Sequence, residues 1–372
     1  MALILARSPY LVSRGNLDNN AYLFLDIGYV DSSGGEVILK SFPLTFRFQN
    51  KIDISPFIRD YFNDYEILTV KTRLNGNVSG VPQSEVVTTF LATDGYTYYE
   101  EGFNYDLSTY LENNLFYAGS NDLIYRYDSE GLTLPFVHSK VTSPYDLAVS
   151  YLNGVDTFYE TDLIFNNNNQ TSIKVSYVTD YISEELTDGQ GNIIEDGLGN
   201  ALLAILEISE DNKANVTKIV ISDGENTKEL TVITISKCKY TPYKIIFKNR
   251  FGVEEDLWFF KKNTKSIAVE KETYRPNIAG SYANGVLSHQ YQDYNVNGRE
   301  SIVLNTGFVN ESFSENIKQL MLSEKVWMYD NGIKRPMNVS TSEMELRTHV
   351  NDKLINYTME FQFSNEIINN VS

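Results

Sequence analysis

Period-two alternation of apolar and polar residues, interrupted by tight-turn dipeptides, is the feature that most restricts the fold of this chain. Successive side chains of a strand point to opposite faces, so this alternation predicts half-buried β-strands. The alternating stretches are 21–30, 36–48, 172–178, 218–222, 229–236, 244–247 and 357–363, and Asn-Gly or Asp-Gly turns begin at Asn75, Asp94, Asn153, Asp223 and Asn331. Many short strands at this spacing favour antiparallel β-sandwiches over a parallel α/β sheet.

The length of the chain predicts more than one hydrophobic core, because 372 residues exceed the usual size of a single domain. We predict a mainly-β protein of two or three antiparallel, immunoglobulin-like β-sandwich domains with a few short helices. The expected domains are an N-terminal β domain (1–135), a middle β domain with projecting hairpins and loops (136–240), and a C-terminal β domain (241–372). The 26 tyrosines suit half-buried strands and subunit interfaces alike.

Two segments carry helix signals. The first has Ser55 as an expected N-cap, followed by Pro56, whose fixed φ suits a first helical turn. The second is an amphipathic helix over residues 312–323, in which Ser312 and Glu315 have the spacing of a capping box. Its apolar stripe is expected to pack in the core of the C-terminal domain and consists of Phe313, Ile317, Leu320 and Met321.

The charge of the chain excludes a general phosphate-binding face. The net charge is −18, which favours solubility and repels nucleic acid. Lysine and arginine cluster only at 237–239, 244–250 and 261–265. The segment Lys244–Arg250 is open to two interpretations, as a docking patch or as strand edges that lysine protects from pairing.

Cysteine usage indicates synthesis in a reducing compartment. Cys238 is the single cysteine, so neither a disulfide within the chain nor a cysteine zinc site can form, and its strand context predicts a small core residue. The N-terminal apolar run spans only five residues without a basic segment before it, too short for a signal peptide or a membrane span. We therefore expect a protein made in the cytoplasm of its host, without a membrane partner.

No constellation of residues points to catalysis. The three histidines, His138, His289 and His349, lie far apart in sequence and lack metal-ligand spacing. Neither a nucleophile elbow nor a phosphate-binding loop occurs. Adjacent carboxylates occur at Glu100-Glu101, Glu184-Glu185 and Glu254-Glu255-Asp256, and are expected on the solvated surface because strand neighbours diverge. We assign no catalytic, cofactor-binding or metal-ligating residue and expect no enzyme.

A short tandem repeat begins at Asp188 and again at Asp196, each time as Asp-Gly-x-Gly-Asn before apolar residues. Carboxylate and carbonyl oxygens at such turns are the ligand types that calcium takes. Two units supply few ligands, and the order of residues differs from that of calcium-binding β-helices. We predict hairpin turns at both positions and no bound metal.

Three segments resemble tail-associated proteins of tailed double-stranded DNA bacteriophages, in particular those of Bacteroidota hosts, including the crAss-like group. The first is Arg7-Ser-Pro-Tyr together with strand 21–30 and the segment Phe48–Phe62, which contains Asp-Ile-Ser-Pro-Phe-Ile-Arg. The second is Ile246–Phe260, with Phe-Lys-Asn-Arg-Phe-Gly at its start, and the third runs from Leu304-Asn-Thr-Gly-Phe to Trp327.

This resemblance implies a structural protein of the virion neck or tail. It implies a homo-oligomeric ring or collar below the portal, in contact with other neck and tail proteins, through which DNA passes without sequence-specific binding. A closed ring needs heterologous contacts between dissimilar patches. We expect acidic residues to line the lumen, so that DNA slides past, and basic segments such as Lys244–Arg250 to face adjacent subunits.

Two other functions stay open at this point. A receptor- or glycan-binding module of a fibre or baseplate would use exposed aromatic rings, with Trp258 and Trp327 as candidates, although both lie in apolar runs that predict core positions. A tail-borne glycan hydrolase would need two convergent carboxylates. Binding of host glycans by the isolated protein would favour the former, and turnover of polysaccharide the latter.

Overall fold

The chain is built mainly from β-strands in a computed structural model. The structure describes residues 2–30, 35–46, 49–63, 65–127, 132–137, 148–153, 157–162, 172–175, 181–185, 203–207, 216–222, 226–235, 239–275, 289–330, 332–345 and 354–368. Each of the alternating stretches predicted from the sequence overlaps an observed strand, so the mainly-β class is confirmed. The immunoglobulin-like sandwich arrangement stays a prediction.

Contacts between residues divide the chain into two compact units. Residues 1–237 and 248–256 form the first unit, and residues 238–247 and 257–372 form the second. The short segment 248–256 thus belongs with residues that precede it by more than a hundred positions. The predicted boundaries at 135 and 240 stay predictions.

The N-terminal part of the first unit contains a five-stranded sheet with strand order β1-β9-β6-β3-β4. β1 runs parallel to β9, and the other neighbours are antiparallel. Two short pairs, β2 with β5 and β7 with β8, accompany the sheet. The strands are β1 (Leu3–Leu5), β2 (Leu11–Ser13), β3 (Tyr22–Val30), β4 (Glu36–Thr45), β5 (Lys51–Asp53), β6 (Ile67–Asn75), β7 (Asn77–Val78), β8 (Val81–Pro82) and β9 (Val86–Thr93).

Alternation along β3 explains one core of this sheet. Leu23, Leu25 and Ile27 are fully buried, and they share one apolar cluster with residues of β1, β6 and the helix that follows β5. Next to β1, both faces of the sheet are covered. Ile4 belongs to that first cluster, whereas its neighbours Leu3 and Leu5 belong to a second, separate cluster. The edge of the sheet at β1 therefore carries apolar cores on both sides.

Hydrogen bonds interlock residues 8–10 with residues 53–55, two stretches that are far apart in sequence. The Tyr10 N–H donates to Asp53 Oδ1 at 3.0 Å and to Ser55 Oγ at 2.8 Å, and the Ser55 hydroxyl donates to the Ser8 carbonyl at 2.7 Å. The prediction that Ser55 is the N-cap is wrong, because helix α1 (Ser55–Arg59) has Ile54 at that position and no side-chain cap. The Ser55 hydroxyl serves the tertiary contact instead.

The remainder of the first unit contains a second five-stranded sheet with order β10-β18-β17-β12-β13. Its buried cluster includes Leu230 and Val232 of β18 together with Leu134 and Phe136. Two further pairs are β11 with β14 and β15 with β16, and helix α2 spans Ser108–Asn113. The strands are β10 (Leu123–Tyr127), β11 (Leu132–Pro135), β12 (Ala148–Asn153), β13 (Thr157–Asp162), β14 (Ser172–Val175), β15 (Tyr181–Glu185), β16 (Leu203–Glu207), β17 (Val216–Ser222) and β18 (Thr227–Ile235).

The second unit is organised around a seven-stranded sheet with order β20-β19-β23-β24-β25-β22-β21. From β19 to β21 along this order, neighbouring strands are antiparallel. The strands are β19 (Tyr243–Lys248), β20 (Glu254–Phe259), β21 (Thr264–Tyr274), β22 (Gln292–Asn310), β23 (Val326–Asp330), β24 (Ile333–Val339) and β25 (Leu354–Phe363). Ile302 and Leu304 of β22 and Met359 and Phe361 of β25 lie in its core.

A β-bulge interrupts β22 within the segment that runs from Leu304 to Trp327. The register with β25 shifts between Asn305 and Phe308, where Gly307 has a φ of 74°. Asn305 Oδ1 accepts from the Gly307 N–H at 2.8 Å, and the Thr306 hydroxyl accepts from the Tyr357 N–H at 3.0 Å. The bulge moves burial from even to odd positions and leaves Phe308 exposed.

The predicted amphipathic helix is present, but its start differs from the prediction. A 3₁₀ turn (Glu311–Phe313) precedes helix α3 (Ser314–Met321). The side chain of Asn310 caps the turn by accepting from the Ser312 N–H at 3.2 Å, so the predicted capping box of Ser312 and Glu315 is wrong. The burial of the stripe is confirmed for Phe313, Ile317 and Leu320.

Candidate functional site

Of the histidines, the cysteine and the repeat aspartates that the sequence analysis singled out, the structure describes His289 alone. His289 is exposed, while His138, His349, Cys238, Asp188 and Asp196 lie outside the described residues. No cluster of three or more histidine, cysteine, aspartate or glutamate side chains capable of holding a metal occurs among the residues that the structure describes. None of the described helices combines the length and apolar character needed to cross a bilayer.

Glu255 is a buried carboxylate in the first unit, held by residues distant in sequence. Its Oε2 accepts from the Ser120 N–H at 3.0 Å and from Asn249 Nδ2 at 2.8 Å, and its Oε1 accepts from the Ser120 hydroxyl at 2.5 Å. Burial raises the pKa of the Glu255 carboxyl, and the hydrogen bonds from Ser120 and Asn249 oppose that rise. Burial and the nearby Glu255 charge also hold the pKa of Tyr117 well above its ordinary value.

This arrangement is suited to holding the fold, since Asn249 is fully buried and Glu255 nearly so. The expectation that Glu254-Glu255-Asp256 lies on the solvated surface is wrong for its central residue. The alternation of the run could have revealed this, because Glu255 has the same parity as Val253 and Leu257, which are both buried. A carboxylate on the apolar face of a strand requires buried donors, and only the tertiary fold supplies them.

Asn249 also organises the turn that follows it within the segment Ile246–Phe260. Its Oδ1 accepts from the Phe251 N–H at 3.0 Å, and its Nδ2 donates to the Ala118 carbonyl at 2.6 Å. Gly252 has a φ of 78°, and a Cβ there would lie 2.6 Å from the backbone carbonyl carbon of Asp94. Two turns therefore pack backbone against backbone, and Asp94-Gly95, one of the predicted turn dipeptides, forms one side of this contact.

The basic segment Lys244–Arg250 is buried and paired within the chain. Lys248 is buried with its Nζ 3.8 Å from Asp94 Oδ2, and Arg250 forms an ion pair with Glu101. Lys244, in the second unit, lies 5.3 Å from the Tyr329 ring centroid. The prediction that this segment faces adjacent subunits is therefore wrong for Lys244 and Lys248, which are buried within the chain, while the half-buried Arg250 already pairs with Glu101.

The two tryptophans do not form an exposed platform. Trp258 is buried and stacks on Phe260 with 6.3 Å between ring centroids, which confirms its core position. Trp327 is half-buried, with Lys334 Nζ 5.6 Å from its ring centroid. The sequence-based choice of aromatic residues for glycan binding is therefore wrong for Trp258.

A well-anchored loop in the first unit, residues 98–106, is here named the aromatic loop. The Tyr98 N–H donates to Glu101 Oε2 at 2.8 Å, and Arg250 pairs with the same carboxylate while lying 4.7 Å from the Tyr98 ring centroid. Asn104 exchanges two hydrogen bonds with the backbone of Leu11, at 2.6 and 2.7 Å. Asp106 Oδ1 accepts from the Leu3 N–H at 3.1 Å. These contacts hold the loop at both ends and in the middle.

The anchored loop presents three aromatic rings to solvent. Tyr99 is 99% exposed, Phe103 is 68% exposed, and Tyr105 is also exposed. Glu100 and Asp106 are the exposed carboxylates of the same loop. Large apolar rings are rarely presented on a rigid loop without a partner, because ordering them in water gains no burial.

A two-stranded ribbon leaves the sheet of the second unit. β25 pairs with β22 over 301–310. Among the described strands, residues Ile267–Tyr274 and Gln292–Glu300, here named the ribbon, therefore pair with each other beyond the sheet. Its eight-residue first strand spans about 26 Å at the usual rise per residue. All eleven side chains of β21 are exposed. Lys271 Nζ bonds Asp293 Oδ2 at 2.7 Å across the strands, which lowers the pKa of Asp293.

One face of the ribbon carries an apolar patch, here named the ribbon patch. Ile267 and Val269 are 59% and 58% exposed, and the strand pairing places Val269 opposite Gly298. The C-terminal segment adds Ile367, whose N–H donates to the Gly298 carbonyl at 2.9 Å, and the exposed Ile368. Alternation from 265 to 269 would predict a half-buried strand, yet nothing among the described residues covers this face.

Among the residues that the structure describes, the aromatic loop and the ribbon are two surfaces that expose several large apolar side chains close together in sequence. Neither a protein-family model nor a curated protein matches the chain. Function is therefore inferred from the geometry of the chain itself.

Proposed function

We propose that this chain is a structural subunit of a bacteriophage particle and that it assembles with copies of itself into a ring of the neck or tail. The exposed ribbon carries the proposal. Two paired strands are at best marginally stable in water by themselves, and this ribbon, which the C-terminal segment contacts only at Asn297 and Gly298 among the bonds described, exposes apolar side chains along one face. A neighbouring subunit that covers the ribbon patch would stabilise the ribbon and bury its apolar side chains.

The three phage-like segments support a structural role. They form an interlock around Ser55, a turn around Asn249 and a β-bulge at Gly307, and hydrogen bonds between residues far apart in sequence stabilise each of them. Buried polar groups held in this way give a rigid subunit, which suits a particle that must keep its geometry while DNA passes. The resemblance therefore concerns architecture rather than chemistry.

The charge of the subunit fits a conduit for DNA. The chain carries a net charge of −18, and an acidic wall would repel the phosphate backbone and let the duplex slide. In this proposal acidic residues face the lumen, and other neck and tail proteins contact the ring above and below it. Cryo-electron microscopy of the assembled particle tests this arrangement, and a lumen lined mainly by lysine and arginine would contradict it.

Mass photometry of the purified chain tests self-assembly directly. We expect closed oligomers of the 42.4 kDa subunit that are lost when Ile267 and Val269 are both replaced by aspartate. Ile38→Asp is the matched control, because Ile38 is 58% exposed on β4 of the other unit. A parent chain that stays monomeric at micromolar concentration, or a ribbon variant that assembles like the parent, would contradict the proposal.

A receptor- or glycan-binding module is the second candidate, and the aromatic loop is the observation that favours it. Tyr99 and Phe103 have the exposure that stacking on a sugar ring requires. Binding of the monomeric chain to host polysaccharide, measured on a glycan array and lost on replacing both rings, would support this candidate. The ribbon has no role in that function, so variants of the ribbon patch would bind glycans as the parent does.

A further inference from the structure

We infer that the C-terminal segment is exchanged between neighbouring subunits, so that it binds the ribbon of the next copy of this chain. Residues 364–368 are here named the strap, and residues 297–299 of β22 are named the ribbon edge. The inference rests on the proposed function, because it identifies a contact through which copies of the chain join. In the single chain the strap lies on its own ribbon edge, and exchange forms the same contacts between two copies.

The strap binds the ribbon edge as a neighbouring strand would. The Ile367 N–H donates to the Gly298 carbonyl at 2.9 Å. The side chain of Asn297 pairs with the backbone of Ile368, since its Oδ1 accepts from the Ile368 N–H at 3.0 Å and its Nδ2 donates to the Ile368 carbonyl at 2.9 Å. The ribbon edge therefore recognises an extended segment through its main chain, and every copy of this chain carries that segment.

The strap also fills the space above a glycine of the ribbon. Gly298 is buried, whereas every residue of the facing strand β21 is exposed. A Cβ at Gly298 would lie 3.4 Å from Ile367 Cδ1 and 3.5 Å from Ile267 Cγ2. Strap and ribbon patch thus meet over this residue, which makes the ribbon edge specific in shape as well as in hydrogen bonding.

The remaining contacts of the strap are exposed and hold it weakly. Glu366 accepts a hydrogen bond from Asn297 Nδ2 and lies 3.8 Å from the Arg299 guanidinium, with both charged side chains half-exposed. Exposed ion pairs of this kind add little to stability. Ser364 is tied to the Pro336 carbonyl at 3.1 Å, so the strap can open beyond Ser364 while β25 stays in its sheet.

Burial of apolar surface is what favours exchange over the closed single chain. The hydrogen bonds are the same in both forms, so they cancel in the comparison. In the single chain the aliphatic side chains around the contact stay exposed, namely Ile267, Val269, Ile367 and Ile368. Exchange brings a second copy against these side chains and removes them from water, which is the dominant favourable term in association.

Strap exchange from each subunit to the next is compatible with a ring. The strap and the ribbon edge are dissimilar surfaces, and a head-to-tail contact between dissimilar surfaces is heterologous. The Cα atom of Ile367 lies within about 11 Å of that of Ser364, because only three residue steps separate them. The ribbon edge of the next copy must therefore pack beside Ser364 of the first.

Mixing two assembly-defective variants of the full chain tests the exchange. The edge variant carries Asn297→Ala and Arg299→Ala. The strap variant carries Ile367→Pro and Ile368→Pro, because proline lacks the N–H that each position donates. Gln292→Ala is the matched control for the edge variant, since Gln292 also lies on β22 but bonds across the ribbon to β21.

Each variant alone is expected to associate at least about tenfold more weakly than the parent, whereas the control assembles as the parent does. In an equimolar mixture the intact strap of the edge variant can bind the intact ribbon edge of the strap variant. Mass photometry should then show a 1:1 dimer of about twice the 42.4 kDa subunit mass, which cannot grow further. Circular dichroism should show parental folding, because the replaced side chains are exposed or half-buried.

Three results would overturn the inference while leaving the proposed function standing. The first is an edge variant that assembles as the parent does. The second is an edge variant that assembles more tightly, which would make the strap a barrier to assembly. The third is a mixture that stays monomeric under conditions in which the parent assembles. A parent chain without any self-association would overturn both the inference and the proposed function.

Discussion

Replacing Glu255 separates the role of its charge from the role of its hydrogen bonds. Glu255→Ala removes the acceptor for the Ser120 N–H, for the Ser120 hydroxyl and for one hydrogen of Asn249 Nδ2. The hydroxyl can rotate to another acceptor, whereas the two N–H donors are left without one. Glu255→Gln keeps an acceptor oxygen for these two donors. Its amide nitrogen then lies beside the Ser120 hydroxyl, which can accept in place of donating.

The size of the effect follows from the number of donors left without a partner. Each buried unsatisfied donor costs about 1–3 kcal/mol, so two of them cost about 4 kcal/mol. Removing a buried carboxylate recovers part of this loss. Burial disfavours the ionised form of Glu255, as its raised pKa indicates, so the parent bears a desolvation cost that the alanine variant does not. We expect Glu255→Ala to lower the free energy of unfolding by about 3 kcal/mol and Glu255→Gln to change it by less than about 1 kcal/mol.

The pH dependence has a defined sign. A carboxyl whose pKa is raised in the folded protein binds its proton more tightly there than in the unfolded chain. The contribution of Glu255 to stability therefore improves as pH falls through the raised folded pKa and is least favourable above it. The difference in unfolding free energy between Glu255→Gln and the parent should shift in favour of the parent as pH is lowered from 8 to 5.

Urea denaturation followed by circular dichroism measures these differences, and amide hydrogen exchange at Ser120, Phe251 and Val253 reports the local loss in Glu255→Ala. Faster exchange at these amides, with unchanged exchange in α3, is the expected pattern. An alanine variant as stable as the parent, or a glutamine variant as unstable as the alanine one, would refute the hydrogen-bonding account of this cluster.

Three further substitutions examine other parts of the fold, each by urea denaturation. Ile317→Asp places an unpaired charge at a fully buried position and should cost about 4 kcal/mol, whereas Leu322→Asp at the exposed end of the same helix should cost under about 1 kcal/mol; equal effects would mean that the stripe is not in the core. Gly252→Ala adds a Cβ 2.6 Å from a backbone carbon at a positive φ and should cost at least about 2 kcal/mol more than Gly15→Ala, which has a positive φ in open space; similar costs would contradict the close backbone approach. Asp26→Asn weakens the bidentate ion pair with Arg73, whose Nε and Nη2 lie 2.7 and 3.1 Å from the two carboxylate oxygens. It should lower the free energy of unfolding by about 2 kcal/mol at pH 7. Hydrogen bonds to Asp26 outweigh its burial and lower its pKa, so this difference should shrink as pH falls through the lowered value; a difference that stays constant from pH 7 down to the pH at which the parent unfolds would contradict the charge-based origin.

The strands could be predicted because alternation is a local property of the backbone. A residue of a half-buried strand shares its face with residues two positions away, so stretches such as 21–30 and 357–363 report their own secondary structure. The amphipathic helix was predictable for the same reason. Helix starts were less predictable: a polar side chain such as Ser55 can cap a helix or bond to a distant segment, and local sequence does not distinguish the two.

The pairing of charged residues could not be predicted, because the partners are far apart in the chain. Lys248 and Arg250 looked like an exposed basic segment, yet Asp94 and Glu101 approach them from about 150 residues away. The opposite error applies to Ile267 and Val269, which alternate like core residues but lie on a ribbon that leaves its sheet. Burial depends on what packs against a strand, and the strand itself does not encode that.

The mainly-β architecture and the position of the buried helix could be predicted from the sequence, since each follows from residue types at short spacing. That Glu255 and Asn249 are buried partners, and that the aromatic loop and the ribbon are exposed to solvent, could be seen only in the folded chain. Long-range contacts set these environments, because hydrogen bonds and burial join residues that only the completed fold brings together.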